Sequence, residues 1–269
     1  MIKNKNLKKN KITQNDISKT KEFETPFKYL KINFNNKEHI SILNRFYNEL
    51  YILEFTNENE AESLENIIKQ SKRMFNIKEC NYHCIIVLQE NEIIGGIIGD
   101  YLCECNCGVI EFIVVNPNKR RLHIASNLIS IIFNYFNENA KLYYNDNEKC
   151  IDYCFFECEN PNKVDIKNKN DCINRLHFWN KKKAYRLNFN YYQTSLEEYK
   201  KSVDSEYLCV IIVNESLMMS KSIKKSKIIK FIECYFKYCF NKDINENLEL
   251  IQMKNDLKNI NEIQLCNLV

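Results

Sequence analysis

Gly108-Val109-Ile110-Glu111-Phe112-Ile113-Val114-Val115 runs into Asn116-Pro117-Asn118-Lys119-Arg120-Arg121, and an apolar helical stripe opens at Ile124. The first eight residues are almost all apolar, the signature of a strand buried on both faces. Asn, Pro and three basic residues end it in a turn. Ile124, Leu128, Ile131, Ile132, Tyr135 and Phe136 then recur at helical spacing. A strand that turns into a helix N-terminus suits an anion, because the first helical N–H groups lack intrahelical partners and carry the positive end of the helix dipole. The same connection also occurs in α/β proteins as a plain polar turn, so the segment alone leaves both readings open.

Working outward, Ile40, Leu43, Phe46, Tyr47, Leu50 and Tyr51 predict an amphipathic helix, and Ala61 to Phe75 a second. His83 to Leu88 and Ile93 to Leu102 flank a polar Glu90-Asn91-Glu92 turn and read as a hairpin. Gly95, Gly96 and Gly99 fall within its second strand, where glycine marks a bulge or a close backbone approach. Further on come a strand at Ile151 to Glu159, a helix at Asp171 to Lys181, and strands at Tyr185 to Tyr192 and Leu208 to Val213. The order α, α, β, β, β, α, β, α, β, β implies an α/β (α+β) fold with a mixed sheet flanked by helices.

The 269 residues divide into a flexible basic arm over 1–24, a domain over 25–215 and a partly disordered extension over 216–269 that holds a helix at Ile228 to Phe240 and a polar, disordered end. A net charge of +4 is small for a nucleic-acid binder, which argues against that class. No apolar run approaches the length of a membrane span, and the Lys/Asn-rich start has no apolar leader. Thirteen cysteines, an odd number with Cys154 and Cys158 inside apolar runs, read as reduced, partly buried thiols of a cytoplasmic protein. Cys103, Cys105 and Cys107 alternate as on one strand face, yet no CxxC pair or nearby His completes a metal set, and no metal is expected.

The stretch Val115-Asn116-Pro117-Asn118-Lys119-Arg120-Arg121-Leu122-His123-Ile124-Ala125-Ser126-Asn127-Leu128 resembles motif A of the GNAT superfamily of N-acetyltransferases, V-x-P-x-x-R-G-x-G-I-G/A-x-x-L. Glu157 to Pro161, Arg175 to Leu187 and Tyr192 through Leu196 are similar to the second half of some bacterial members. The resemblance spans about residues 27 to 213. It implies a GNAT-like, mostly antiparallel central sheet with a C-terminal helical appendage. It also implies acetyl-CoA as co-substrate, its pantetheine along Ile113, Val114 and Val115 and its pyrophosphate at Arg120, Arg121, Leu122, His123, Ile124, Ala125 and Ser126. Arg121 and His123 stand where the family has glycines. That is tolerable if both keep helical or β dihedrals and point outwards.

Acetyl transfer to an amine needs a neutral amine, a polarised carbonyl and a protonated leaving thiolate. Glu111, a carboxylate in an apolar strand, is the candidate base, and an edge-facing or salt-bridged Glu is the plainer reading. The resemblance places an acid where Trp179 stands, and an indole cannot supply one. Trp179 is then a core or CoA-packing aromatic, and Tyr185 or solvent is left as the acid. Glu157 and Glu159 share a strand face and either line an amine pocket or form a solvated strand end. The partners expected are acetyl-CoA and an amine of a small molecule, amino acid or peptide. A membrane is not expected, and a homodimer is left open. A catalytically degenerate GNAT-like interaction module is the alternative.

Overall fold

The computed structural model describes residues 26–71 and 80–269, with the backbone alone at Cys80. The basic arm over 1–24 and the Phe75 end of the second expected helix lie outside the described residues. Strands β1 (Lys28–Lys31), β2 (Cys80–Gln89), β3 (Glu92–Leu102), β4 (Cys107–Val115), β5 (Tyr153–Glu159), β6 (Ala184–Leu187), β7 (Glu206–Ile212), β8 (Ser222–Lys224) and β9 (Glu262–Asn267) build one sheet. Their order is β1-β2-β3-β4-β5-β7-β6-β9-β8. All neighbours are antiparallel except β4 and β5. A parallel pair needs a crossover, and α4 (Ile124–Tyr144) is that crossover. The mixed, mostly antiparallel sheet expected from the sequence is the one observed.

One face is covered by α4 and α5 (Lys169–Lys181). Ile124, Leu128, Ile132 and Phe136 of α4 pack with Ile97, Ile110 and Phe156, and Leu176 and Trp179 of α5 join them. The other face has two covers. Its N-terminal half lies under α1 (Lys37–Phe46), a π-helical turn at Tyr47–Tyr51, α2 (Ile52–Glu54) and α3 (Leu64–Ser71), where Leu43, Phe46 and Tyr51 meet Ile98, Phe112 and Val114.

Its C-terminal half lies under α6 (Lys225–Cys239) and α7 (Leu248–Asp256). Ile228, Phe231, Ile232 and Tyr235 of α6 are fully buried on Val109, Phe155, Leu208 and Val210. Phe231 stacks on Phe155 with ring centroids 3.9 Å apart. The polar end expected after the helix contains α7 and β9 instead, and β9 pairs with β6 from Tyr185↔Asn267 to Leu187↔Leu265. Its apolar residues Ile263 and Leu265 alternate with polar ones, which hides a half-buried strand in a polar tail. Cys103–Cys105 is a 3₁₀ turn rather than a strand face, so the three alternating sulfurs are not aligned. Cys154 and Cys158 are free and buried. Among the described residues, no helix is long and apolar enough to cross a membrane.

Candidate active site

Glu111 owes its position to a β-bulge. Ile98 pairs with Phe112 and Gly99 with Ile110, so Glu111 is the extra residue on β4. Gly99 makes this possible, since a Cβ there would stand 2.3 Å from the Val109 carbonyl oxygen. The Glu111 carboxylate meets Asp100 of β3 and Cys239 of α6, with one ligand atom of each within 4.8 Å of the others. The Cys239 thiol donates to Asp100 Oδ2 at 3.5 Å. Asp100 and Cys239 are fully buried, and the trio is the one group of metal-type donors brought together among the described residues.

Beyond the bulge, β4 and β5 part. Their parallel pairing covers only Cys107↔Tyr153 through Ile110↔Phe156, although β4 runs on to Val115 and β5 to Glu159. Glu157 is the first β5 residue past the fork. Its carboxylate accepts from Tyr191 Oη at 2.5 Å, from Gln193 Nε2 at 2.9 Å and from Tyr235 Oη of α6 at 3.5 Å. Burial pushes the Glu157 carboxyl up to about 7, against the lowering effect of these three donors and with help from the nearby Glu60 charge. Burial and the Glu157 charge together hold the Tyr191 and Tyr235 phenols well above their ordinary range.

The basic turn closes the other end of the fork. Arg121 has φ 68° and His123 φ 60°, both left-handed. They therefore take the conformation that glycine would take, not the helical or β dihedrals that would have made its absence harmless. His123 is the residue before α4 and makes no side-chain cap, so the first-turn N–H groups stay open to a ligand. Arg120 pairs with Glu54 at 2.8 Å, and Lys119 lies 3.2 Å from Glu92. Both pairs are partly exposed, of the kind that contributes little and gives way to a phosphate. A further cation arrives from the residue after α5, where Lys182 Nζ donates to Ser126 Oγ at 2.6 Å.

The structure thus brings Glu111, Ile113, Val114 and Val115 to one side of the fork, with the turn from Arg120 to Ser126 at its end. Ile124 is buried, and only its backbone faces the turn, whereas Leu122 is exposed. Tyr185 is elsewhere: β7 and β5 lie between β6 and β4, and Tyr185 packs toward the α6 side of the core. Trp179 is 5% exposed and stacks on Phe156 at 4.0 Å, a core aromatic by its contacts. Tyr191, Gln193, Tyr235 and Lys182 were missed. Three of them come from irregular or terminal segments that have no periodicity to place them, and Tyr235 looks like one more apolar residue of its helix.

A family model described as the acetyltransferase (GNAT) family matches residues 44–154, from α1 to the start of β5. No curated protein matches the chain. Among solved structures it is similar to a protein from Bacteroides thetaiotaomicron described as an acetyltransferase from the GNAT family, with TM-score 0.54 and 13% identity over 80% of this chain and 99% of that one. The ribosomal-protein-S18-alanine N-acetyltransferase from Escherichia coli aligns with TM-score 0.42 and 9% identity over 70% of this chain and 94% of that one. A PaiA N-acetyltransferase from Thermoplasma acidophilum, in complex with coenzyme A, aligns with TM-score 0.41 and 11% identity over 70% of this chain and 99% of that one. In its sheet and its forked strands the chain has a GNAT-like fold, and its residues 44–154 match the model of that family.

Proposed function

We propose that the chain transfers an acetyl group from acetyl-CoA to an amine. The observation that carries this reading is the fork: β4 leaves its parallel partner at Ile110 while both strands continue. That exposes the β4 backbone from Glu111 to Val115 to an extended ligand, the way a peptide-like chain adds to a sheet edge. Pantetheine, which carries amide groups, suits this edge, and the uncapped start of α4 with Arg120 and Lys182 suits the pyrophosphate. A backbone N–H near Val114 is placed to meet the carbonyl oxygen of the thioester. Glu157, with its carboxyl near neutrality, is the group that takes the amine proton, and Glu111 across the fork adds negative charge that favours a cationic acceptor. Tyr191 and Tyr235 are the hydroxyls closest to Glu157 and the candidates to return a proton to the leaving thiolate.

Calorimetric titration with acetyl-CoA tests the cofactor half of this. Binding is expected within the range of about 1 µM to 1 mM usual for enzyme substrates. It should weaken at least about tenfold in Lys182→Glu, which places a like charge beside the pyrophosphate. Absence of binding at millimolar ligand would overturn the enzyme and leave the second reading, a GNAT module without catalysis. The side chains of Arg121 and His123 in the turn favour that reading.

A further inference from the structure

Past Glu157 the fork opens onto carboxylates that have more acceptor atoms than the described residues satisfy. Glu206 of β7 sits opposite Glu159, one diagonal step from Glu157, which places the Glu157 and Glu206 backbones about 7–8 Å apart. Glu206 is 8% exposed, and no hydrogen bond or ion pair reaches its carboxylate among the described residues. Burial holds its carboxyl well above the usual range, with the charges of Glu60 and Glu157 adding to the effect and that of Arg175 opposing it. Glu60, on the loop after α2, has one oxygen bonded by Asn57 at 2.7 Å. The cation among these groups, Arg175, is already paired with Glu159.

A second observation, independent of the carboxylates, points the same way. Gln193 is 5% exposed; its amide nitrogen is tied to Glu157, while its carbonyl oxygen is buried without a partner among the described residues. A buried carbonyl without a donor is costly, and it and the carboxylate of the largely buried Glu206 are both answered by a group that only donates. The loop that carries Glu60 is clamped in place: Ser63 donates to Glu197 through its backbone N–H at 3.0 Å and its hydroxyl at 2.9 Å, and Lys201 N donates to Asn59 Oδ1 at 2.9 Å. The acceptors are therefore held, not left to scatter into solvent.

We propose that the acceptor substrate is a short alkyl diamine or polyamine, with its reacting nitrogen at Glu157 and its second ammonium held by Glu206, Glu60 and the Gln193 carbonyl. This rests on the acetyltransferase reading. One ammonium has three protons, too few for the acceptors of both Glu157 and Glu206, whereas two ammoniums at diamine spacing meet both sets. A substrate with its own carboxylate is repelled. In the reaction, the ammonium at Glu157 gives the carboxylate one proton, and the neutral nitrogen forms the N–C bond to the acetyl carbon. The C–S bond breaks, the nitrogen's second proton ends on the sulfur of the leaving thiol, and Glu157 returns its proton to solvent.

The test compares diaminobutane, butylamine and aminobutanoate, three amines of one chain length that carry two charges, one charge and a charge with a carboxylate. Binding to the full chain is measured by calorimetry, and thiol release from acetyl-CoA is followed in parallel. Diaminobutane should bind at least about tenfold more tightly than butylamine, and aminobutanoate more weakly than either, as expected for a partly desolvated charge contact. Glu206→Gln should reduce the diamine preference to about threefold or less. Glu60→Gln, on the half-buried loop, should reduce it in the same direction if the first variant does not fold. Equal binding of diamine and monoamine, or no diamine binding at millimolar ligand, overturns the proposal. Thiol release with butylamine or aminobutanoate as fast as with diaminobutane overturns it too, yet leaves the acetyltransferase standing. Diamine binding with no acetyl-CoA binding and no thiol release supports the cleft and removes the acetyltransferase.

Discussion

Glu157 faces Tyr191, Gln193 and Tyr235 directly, with Glu60 and Glu206 as the charges around it. Because its carboxyl titrates near 7 in the folded chain, kcat/KM should rise with pH as that proton leaves. Glu157→Gln should lower the rate about 10²–10⁴-fold and remove this limb of the pH–rate profile. A merely structural role would leave the limb in place. Stability has the opposite sign: the folded carboxyl keeps its proton to a higher pH than the unfolded one, so its contribution falls as pH rises from the ordinary carboxylate range through about 7. Urea melts of the Gln variant should show that this slope is lost. At Arg121 and His123, left-handed dihedrals cost about 1–2 kcal/mol for a residue with a Cβ. Glycine relieves that strain and forfeits about 0.5–1 kcal/mol of chain entropy. Arg121→Gly and His123→Gly should therefore change stability by no more than about 1.5 kcal/mol each and tighten acetyl-CoA binding; calorimetry that shows weaker binding in both would count against the turn as its site. The residue types of motif A were legible in sequence, but the hydroxyls around Glu157 were not. Tyr191 and Tyr235 lie 34 and 78 positions away in the chain, and only the fold gathers them.

At the scale of elements, strong periodicity was readable and weak periodicity was not. The hairpin, the buried strand ending at Val115, α4 and α5 all come from long or densely apolar segments. β1 and β8, of four and three residues, are too short for any period to register. α6 was visible as a helix, yet its partner was not, because the strands it covers are distant in sequence. The packing now makes α6 as much a part of the core as α4. Phe231→Ala removes a fully buried ring stacked on Phe155 and should cost about 3–5 kcal/mol, measured by chemical denaturation. A loss under 1 kcal/mol would show that α6 is an appendage after all.

Across the whole molecule, the face opposite α4 is shared between two covers, α1 to α3 at one end and α6 with α7 at the other, and β4 crosses from one to the other. A regular strand keeps one parity of residue on each face. Val109 turns toward α6, while Phe112 and Val114 turn toward α1, on the same side of the sheet although Val109 and Phe112 are an odd number apart. The extra residue at the bulge is what changes the parity. Two cores patterned with opposite phase are thereby spliced onto one continuous strand, and the splice residue is Glu111, whose carboxylate oxygens are buried between the two covers beside Asp100 and Cys239. An acidic side chain stands there beside the polar atoms of Asp100 and Cys239, at the extra position that the bulge adds to β4.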